Sequence, residues 1–376
     1  MAKAMRIEFG KLVIGETAKK YLQRAVDKSW VSEGDNVREF EKKFAAHFGY
    51  KHAIAVSSGT DANICSCASL YDFGAQRGDE IIVPALSFVA TANSILAAGF
   101  VPKFVDIEVE TLNLDPSKIE AAITDKTIAI MAVHTMGKPC EMDSIMKTAK
   151  AYNLRVIEDA CEAHGATYKG RVIGTIGDMG TFSFYVAHVI VCGEGGMVVT
   201  NNDDIARVVR SVRSHGRPTG SNYFDFQRIG FNSRMNELEA SVGLEGLEQF
   251  DDTFNKRKNN LYKLLEITKN LSDFCYFLEE ENHEKVSPHA FPLVLKDKKY
   301  DYAKFFQYLE SKGIQCKTLF ASLPTQHKAF NFLSYQYGQF PAAEYVGENG
   351  LHFGIHQYLN DDDLYYIGKT LKSYFK

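Results

Sequence analysis

For roughly its first 245 residues the chain alternates short apolar runs rich in β-branched residues with stretches of helical period. AIAVSSG, EIIVPAL, PKFVDIE, AIMAVHTMG and LRVIEDA are too short for buried helices and apolar on both faces, as strands covered on both sides are. That pattern predicts a mostly parallel sheet wrapped by helices. GTFSFY and GGMVVT add two strands, so the sheet should hold about seven. Ahead of it, residues 17–48 read as a helix pair broken at SEGD, and ATYKGRVIG reads as a hairpin excursion with Gly170 and Gly174.

The helix through NELEASVGLEGLEQF leads toward a second, smaller unit. The expected division is a large α/β domain over 1–249 and a C-terminal α+β domain over 250–376. In the latter HAFPLVL and IQCKTLF read as strands and DYAKFFQYLESKG as a helix ended by Gly313. DDDLYYIGKTLKSYF is a closing helix with acids in its first turn, where they suit the helix dipole.

With 45% apolar residues in 376, the chain can bury a large core. A formal charge of −4, spread along the chain, gives no footprint for nucleic acid. Neither a secretory leader nor a membrane span is legible, so a cytoplasmic protein is expected. Seven cysteines, scattered without paired spacing, predict neither a metal site nor a disulfide framework and read mostly as apolar fillers.

Three places carry candidate chemistry. Ser58, Gly59 and Thr60 lie at a strand-to-helix turn, where free backbone N–H groups make an anion site. Glu158-Asp159 ends an apolar strand and delivers an acid to the sheet edge where ligands of open α/β folds bind, although an N-cap for the following ACEAHG serves equally well on spacing alone. GTFSFYVAHVIVCGEGGMVVT is more polar and glycine-rich than a core connection requires, and His188 stands inside it.

Read in order, SWVSEGDNVREFEKKFAAHFG, AVSSGTDAN, GDEIIVPALSFVATANSILAAG, FVDIEVETLNLD, VIEDACEAHGA, the His188 segment and GFNSRMNELEASVGLEGL resemble the DegT/DnrJ/EryC (StrS) nucleotide-sugar aminotransferases. The resemblance spans about residues 10–250 and continues more loosely to the end. It implies the aspartate-aminotransferase-like fold of type I pyridoxal phosphate enzymes and a homodimer with shared active sites. It also implies pyridoxal or pyridoxamine 5'-phosphate as cofactor, a nucleotide-linked keto sugar as substrate and L-glutamate as amino donor. Carried over by position, Gly59, Thr60 and Ser183 would cradle the cofactor phosphate, and Asn232 would reach a phosphate from the partner subunit. Phe88 would stack on the pyridine ring. Asp159 would pair with the ring nitrogen, where a carboxylate keeps that nitrogen protonated and the ring an electron sink. Glu162 stands where most members have a glutamine facing the ring hydroxyl.

The main departure is His188. The family carries there the lysine that links covalently to the cofactor aldehyde. An imidazole cannot hold that link, yet it can move protons. The combination resembles the histidine-bearing branches of the family, which deoxygenate the sugar. The one acting on GDP-4-keto-6-deoxymannose is nearer than the branch with an iron–sulfur cluster, because the cysteines here form no cluster. The alternatives are an aminotransferase with a displaced lysine, Lys169 being the nearest candidate, or with its lysine replaced by histidine. A non-catalytic binder of the cofactor or of a sugar nucleotide is a third. His215, Arg234, Lys317 and His356 carry no assignment.

Overall fold

A computed structural model describes residues 5–218, 220, 224–297 and 299–375. Two helices, α1 (Glu16–Asp27) and α2 (Asp35–Phe48), flank the SEGD break. Then β1 (His52–Val56) runs into α3 (Gly59–Ser69), whose N-cap Ser58 accepts a hydrogen bond from Asp61 N–H at 3.0 Å. The strand-then-helix unit recurs as β2 (Glu80–Pro84), α4 (Val89–Ala97), β3 (Val101–Val105) and the short α5 (Ile119–Ala122). It continues as β4 (Thr127–Val133), α6 (Met142–Ala151) and β5 (Arg155–Asp159). The hairpin of β6 (Thr167–Tyr168) and β7 (Arg171–Val172) turns at Lys169 and Gly170, both at positive φ. After it come β8 (Met179–Ser183), β9 (Gly196–Thr200), α7 (Asp203–Val212) and α8 (Glu237–Glu248).

The seven-stranded sheet has the order β1-β9-β8-β5-β4-β2-β3. From β8 to β3 every pair is parallel, whereas β9 is antiparallel to both β8 and β1. Its reversal follows from the connection: residues 184–195 contain no crossover helix, so the chain can only return beside β8 in the opposite sense. Alternation along the strands explains the unbroken apolar runs. Ile54, Ile81, Met131, Ile157 and Val198 face one core, while Ala53, Ile82, Ile130, Val156 and Val199 face the other. This is the mixed, mostly parallel α/β sheet that the sequence implies.

The smaller unit follows α9 (Phe250–Thr268). Its strands are β10 (Cys275–Phe277), the short β11 (Glu284–Lys285), β12 (Ala290–Leu295), β13 (Cys316–Thr318) and β14 (Gly350–Gly354). Its helices are α10 (Tyr302–Ser311), α11 (Leu323–Gln326), α12 (Pro341–Asn349) and α13 (Asp361–Tyr374). An antiparallel sheet runs β10-β12-β14-β13, and β11 instead extends the β6–β7 hairpin of the large unit. Both units share α9: Phe250 and Phe254 pack into the large core, Leu261 and Leu264 into the small one. The first described residues also belong with the small core, since Ile7 packs there and pairs with Ile314. Among the described residues no helix is long and apolar enough to cross a membrane.

Candidate active site

The C-terminal ends of the parallel strands converge on a cavity of about 720 Å³, closed on its far side by Lys317, Phe320, Leu323 and His352 of the smaller unit. Ser58, Gly59 and Thr60 line it from the β1–α3 turn, Phe88 from the start of α4, His134 from beyond β4, Asp159 from the end of β5 and Ser183 from the end of β8. Cys161, Glu162 and His188 complete that wall. Cys161 is thus an exception to the reading of the cysteines as buried fillers; the other six are buried.

The anion turn is built for close approach. A Cβ on Gly59 would lie 2.5 Å from Ser183 Cβ, and one on Gly196 would lie 2.2 Å from the Ser58 carbonyl oxygen, so both positions require glycine. In the first turn of α3, Asp61 N–H is taken by Ser58 Oγ and Ala62 N–H by Ser58 O, which leaves the N–H groups of Gly59 and Thr60 for a ligand. Asp61 fixes the turn by accepting from the hydroxyls of Ser57, Ser58 and Ser233 at 2.6, 2.9 and 2.7 Å. The Ser233 brace was not legible, because Ser233 is far away in sequence.

Asp159 is 4% exposed. Its Oδ2 accepts from Asn63 Nδ2 at 2.8 Å and Thr91 Oγ1 at 3.0 Å, while Oδ1 receives only the Cys161 N–H at 3.3 Å. Thr181 Oγ1 donates to Asn63 Oδ1 at 2.7 Å, which fixes the orientation of that amide. The N-cap reading of Asp159 fails, since no helix follows it: residues 160–166 form turns. Glu158 points the other way. Its carboxylate is fully buried and accepts from the N–H groups of Gly174, Ile176 and Gly177 at 2.9, 2.7 and 2.8 Å. His134 Nδ1 accepts from Cys140 N–H at 3.0 Å, so its Nε2 carries the proton toward Glu158 Oε2, 3.3 Å away.

His188 is 8% exposed, and its Nδ1 is buried without a partner. Burial, with Arg257 and Lys317 adding positive charge, pushes the imidazole down to about 3, so it is neutral and able to accept a proton. Its ring centre lies 5.1 Å from that of His289 and 5.8 Å from that of His164. His289 Nε2 is 3.4 Å from Glu162 Oε1, and Glu162 Oε2 accepts from Met136 N–H at 2.6 Å. Burial raises Glu162 to about 8, against the Met136 hydrogen bond, which favours the charged form. Phe88 lines the cavity with more than half its surface exposed and stands 6.2 Å from Phe320, an aromatic face open to a ligand.

Seven of the eight residues singled out from sequence therefore meet in one place. Asn232 does not line its own chain's cavity: it is exposed and bridges Ser214, on the segment whose Ser233 O receives Ser57 N–H. Lys169 sits on the hairpin turn, paired with Asp143 at 2.7 Å, and among the described residues Lys317 is the one lysine lining the cavity. Its ammonium lies 4.1 Å from the Phe9 ring centre. His215 and Arg234 are exposed and outside the cavity. Reading the sequence missed Asn63, Thr91, His289 and the role of Lys317, since each lies on a different element from the motif it serves.

The free N–H groups, the half-satisfied Asp159 carboxylate, the open Phe88 face and the unpaired imidazole together fit a flat, phosphorylated pyridine cofactor. The sequence pattern of the DegT/DnrJ/EryC1/StrS aminotransferase family matches residues 13–372. The GDP-perosamine synthase of Caulobacter vibrioides is 45% identical over 233 residues, 62% of either chain and so less than two thirds of that relative's length. The GDP-4-keto-6-deoxy-D-mannose 3-dehydratase of Yersinia pseudotuberculosis is 33% identical over 358 residues, 89% of this chain and 90% of its own. The E coli GDP-4-keto-6-deoxy-D-mannose-3-dehydratase with bound hydrated PLP superposes with a TM-score of 0.88 at 30% identity, covering 98% of this chain and all of that one.

Proposed function

The chain belongs to the DegT/DnrJ/EryC1/StrS aminotransferase family, and on that footing we propose that it is a nucleotide-sugar 3-dehydratase, dependent on pyridoxamine phosphate and recharged by L-glutamate. The observation that carries this reading is His188, a neutral, partner-free imidazole on the cavity wall where the resemblance calls for a lysine. When bound, the cofactor supplies an amine for the sugar ketone and a ring that takes up electrons. The N–H groups of Gly59 and Thr60 with the Ser183 hydroxyl bind its phosphate, and Phe88 covers its ring face. Asp159 holds a proton at the ring nitrogen, Asn63 and Thr91 steadying the carboxylate. Glu162 faces the ring hydroxyl. His188 takes a proton from carbon and returns one as the hydroxyl beside the ketone departs. Summed over the cycle, a 4-keto-6-deoxy sugar and glutamate give the 3-deoxygenated keto sugar, ammonia and 2-oxoglutarate.

The name of the Yersinia relative points to GDP-linked 4-keto-6-deoxymannose as the first substrate to try, and that of the Caulobacter relative agrees with it in the GDP link alone. The second reading, amination, is favoured by the Caulobacter relative and by Lys317 in the cavity. The deciding experiment adds pyridoxal phosphate and L-glutamate, follows the absorbance spectrum, then adds the keto sugar and measures ammonia. Equal amounts of ammonia and 2-oxoglutarate, with no borohydride-trapped lysine, support dehydration. A trapped adduct on Lys317 and an aminated sugar overturn it.

A further inference from the structure

Behind the His188 loop lies Arg257 of α9, 2% exposed and the largest of the fully buried side chains. Its Nε donates to Gln357 Oε1 at 2.9 Å and its Nη1 to the Ala187 carbonyl, one residue before His188, at 3.3 Å. Among the described residues no carboxylate pairs with it. A guanidinium buried without a counter-charge is costly, and packing α9 against the sheet would be better served by an apolar side chain. His164, His188, His289 and His356 feel its charge, and Tyr358 is also near.

We propose that Arg257 is the positioning residue of His188: its guanidinium, held by Gln357, pins the loop at the Ala187 carbonyl and sets an unpaired cation behind the imidazole. This rests on the reading of His188 as the proton carrier. Around that ring stand His164 beyond β5, His289 before β12, Lys317 on β13 and Arg257 on α9, with Asp159, Glu162 and Glu194 on the cavity walls. Asp159 is engaged by Asn63 and Thr91, and Glu162 sits beyond His289. Burial does most to keep the ring neutral, the two cations add to it without an adjacent carboxylate to offset them, and Arg257 is the one that also touches the loop.

The test is a histidine NMR titration of the cofactor-free protein, with the His188 signal assigned by its loss in His188→Asn. Wild-type His188 is expected to stay neutral down to pH 5; a midpoint at 6 or above overturns the proposal whatever the variants do. Arg257→Met, of similar length but uncharged, should raise the midpoint by at least one pH unit. In the loaded enzyme it should shift the acid limb of the L-glutamate half-reaction upward equally, and an unchanged midpoint overturns the electrostatic role. Arg257→Lys keeps the charge but loses the fork, so it should keep the low midpoint while the half-reaction slows several-fold at unchanged KM for glutamate. A wild-type rate in Arg257→Lys overturns the pinning. Full activity in His188→Asn would instead refute the catalytic role of His188, while the titrations would still judge Arg257.

Discussion

His188 combines properties that a solvent-exposed histidine lacks: it is uncharged, its Nδ1 has no partner, and its loop is held by a turn from its own N–H to the Tyr185 carbonyl at 3.0 Å. Replacing it by asparagine keeps a polar tip on a smaller side chain but removes the proton carrier. His188→Asn should lower turnover of the keto sugar by about 10²-fold or more, while the absorbance band of bound cofactor forms at the same cofactor concentration. Loss of both together would show that the side chain serves binding. At this scale the sequence was legible wherever a residue sits in its own motif, as Gly59, Asp159 and His188 do. Partners such as Asn63, Thr91 and His289 were not, because pairing across the sheet is set by strand order, which one sequence does not state.

Among the elements, the connection after β5 is the most dependent on a single group. Glu158 neutralises three N–H groups of residues 174–177 and receives His134, all without solvent. Glu158→Ala strands those donors and should cost roughly 3 kcal/mol or more in urea unfolding; a loss under 1 kcal/mol would mean that water replaces the carboxylate. The strands of the large sheet were legible because most carry a short apolar, β-branched run; α8 was legible as a helical stretch, and its N-terminus is fixed by a capping box of Asn236 and Glu239. By contrast β11, only two residues long, has no periodicity to read and exists through its pairing with β6. In the same way β14 lacked a signal of its own: LHFG borrows its extended form from β12 and β13 on either side.

For the whole molecule, pH should act through buried imidazoles. Burial, with nearby cations, holds His188 and His352 at about 3 and His356 at about 4. Unfolded histidines titrate near 6.5, so below that pH the unfolded chain gains protons that the folded one refuses. Their contribution is complete above 6.5 and declines as pH falls, toward 4 for His356 and toward 3 for His188 and His352, by up to about 1.4 kcal/mol per pH unit for each histidine. Melting temperature should drop by several degrees between pH 6 and 4.5, and a flat profile would show that these rings are protonated in the folded state. Association belongs to this scale too. Leu12, Val13, Ile14, Trp30, Val31, Phe224, Phe226 and Ile229 are exposed large apolar side chains. With Asn232 outside its own cavity, a shared site in a two-fold dimer predicts that mixing inactive His188→Asn and Asn232→Ala chains restores about a quarter of the sites. No recovery after subunit exchange would place Asn232 outside the partner's site.

The reversed strand β9 has a bearing on how such enzymes diverge. Because β8 and β9 are hydrogen-bonded neighbours from Gly180–Val199 to Ser183–Gly196, the segment between them leaves and re-enters the sheet at the same edge. Ala187, Val189 and Ile190 in that segment pack into the two apolar cores, whereas His188 belongs to neither, so its side chain can be exchanged without altering strand order or register. One reactive group can thus stand in place of another at this position while the scaffold of strands that presents it stays the same.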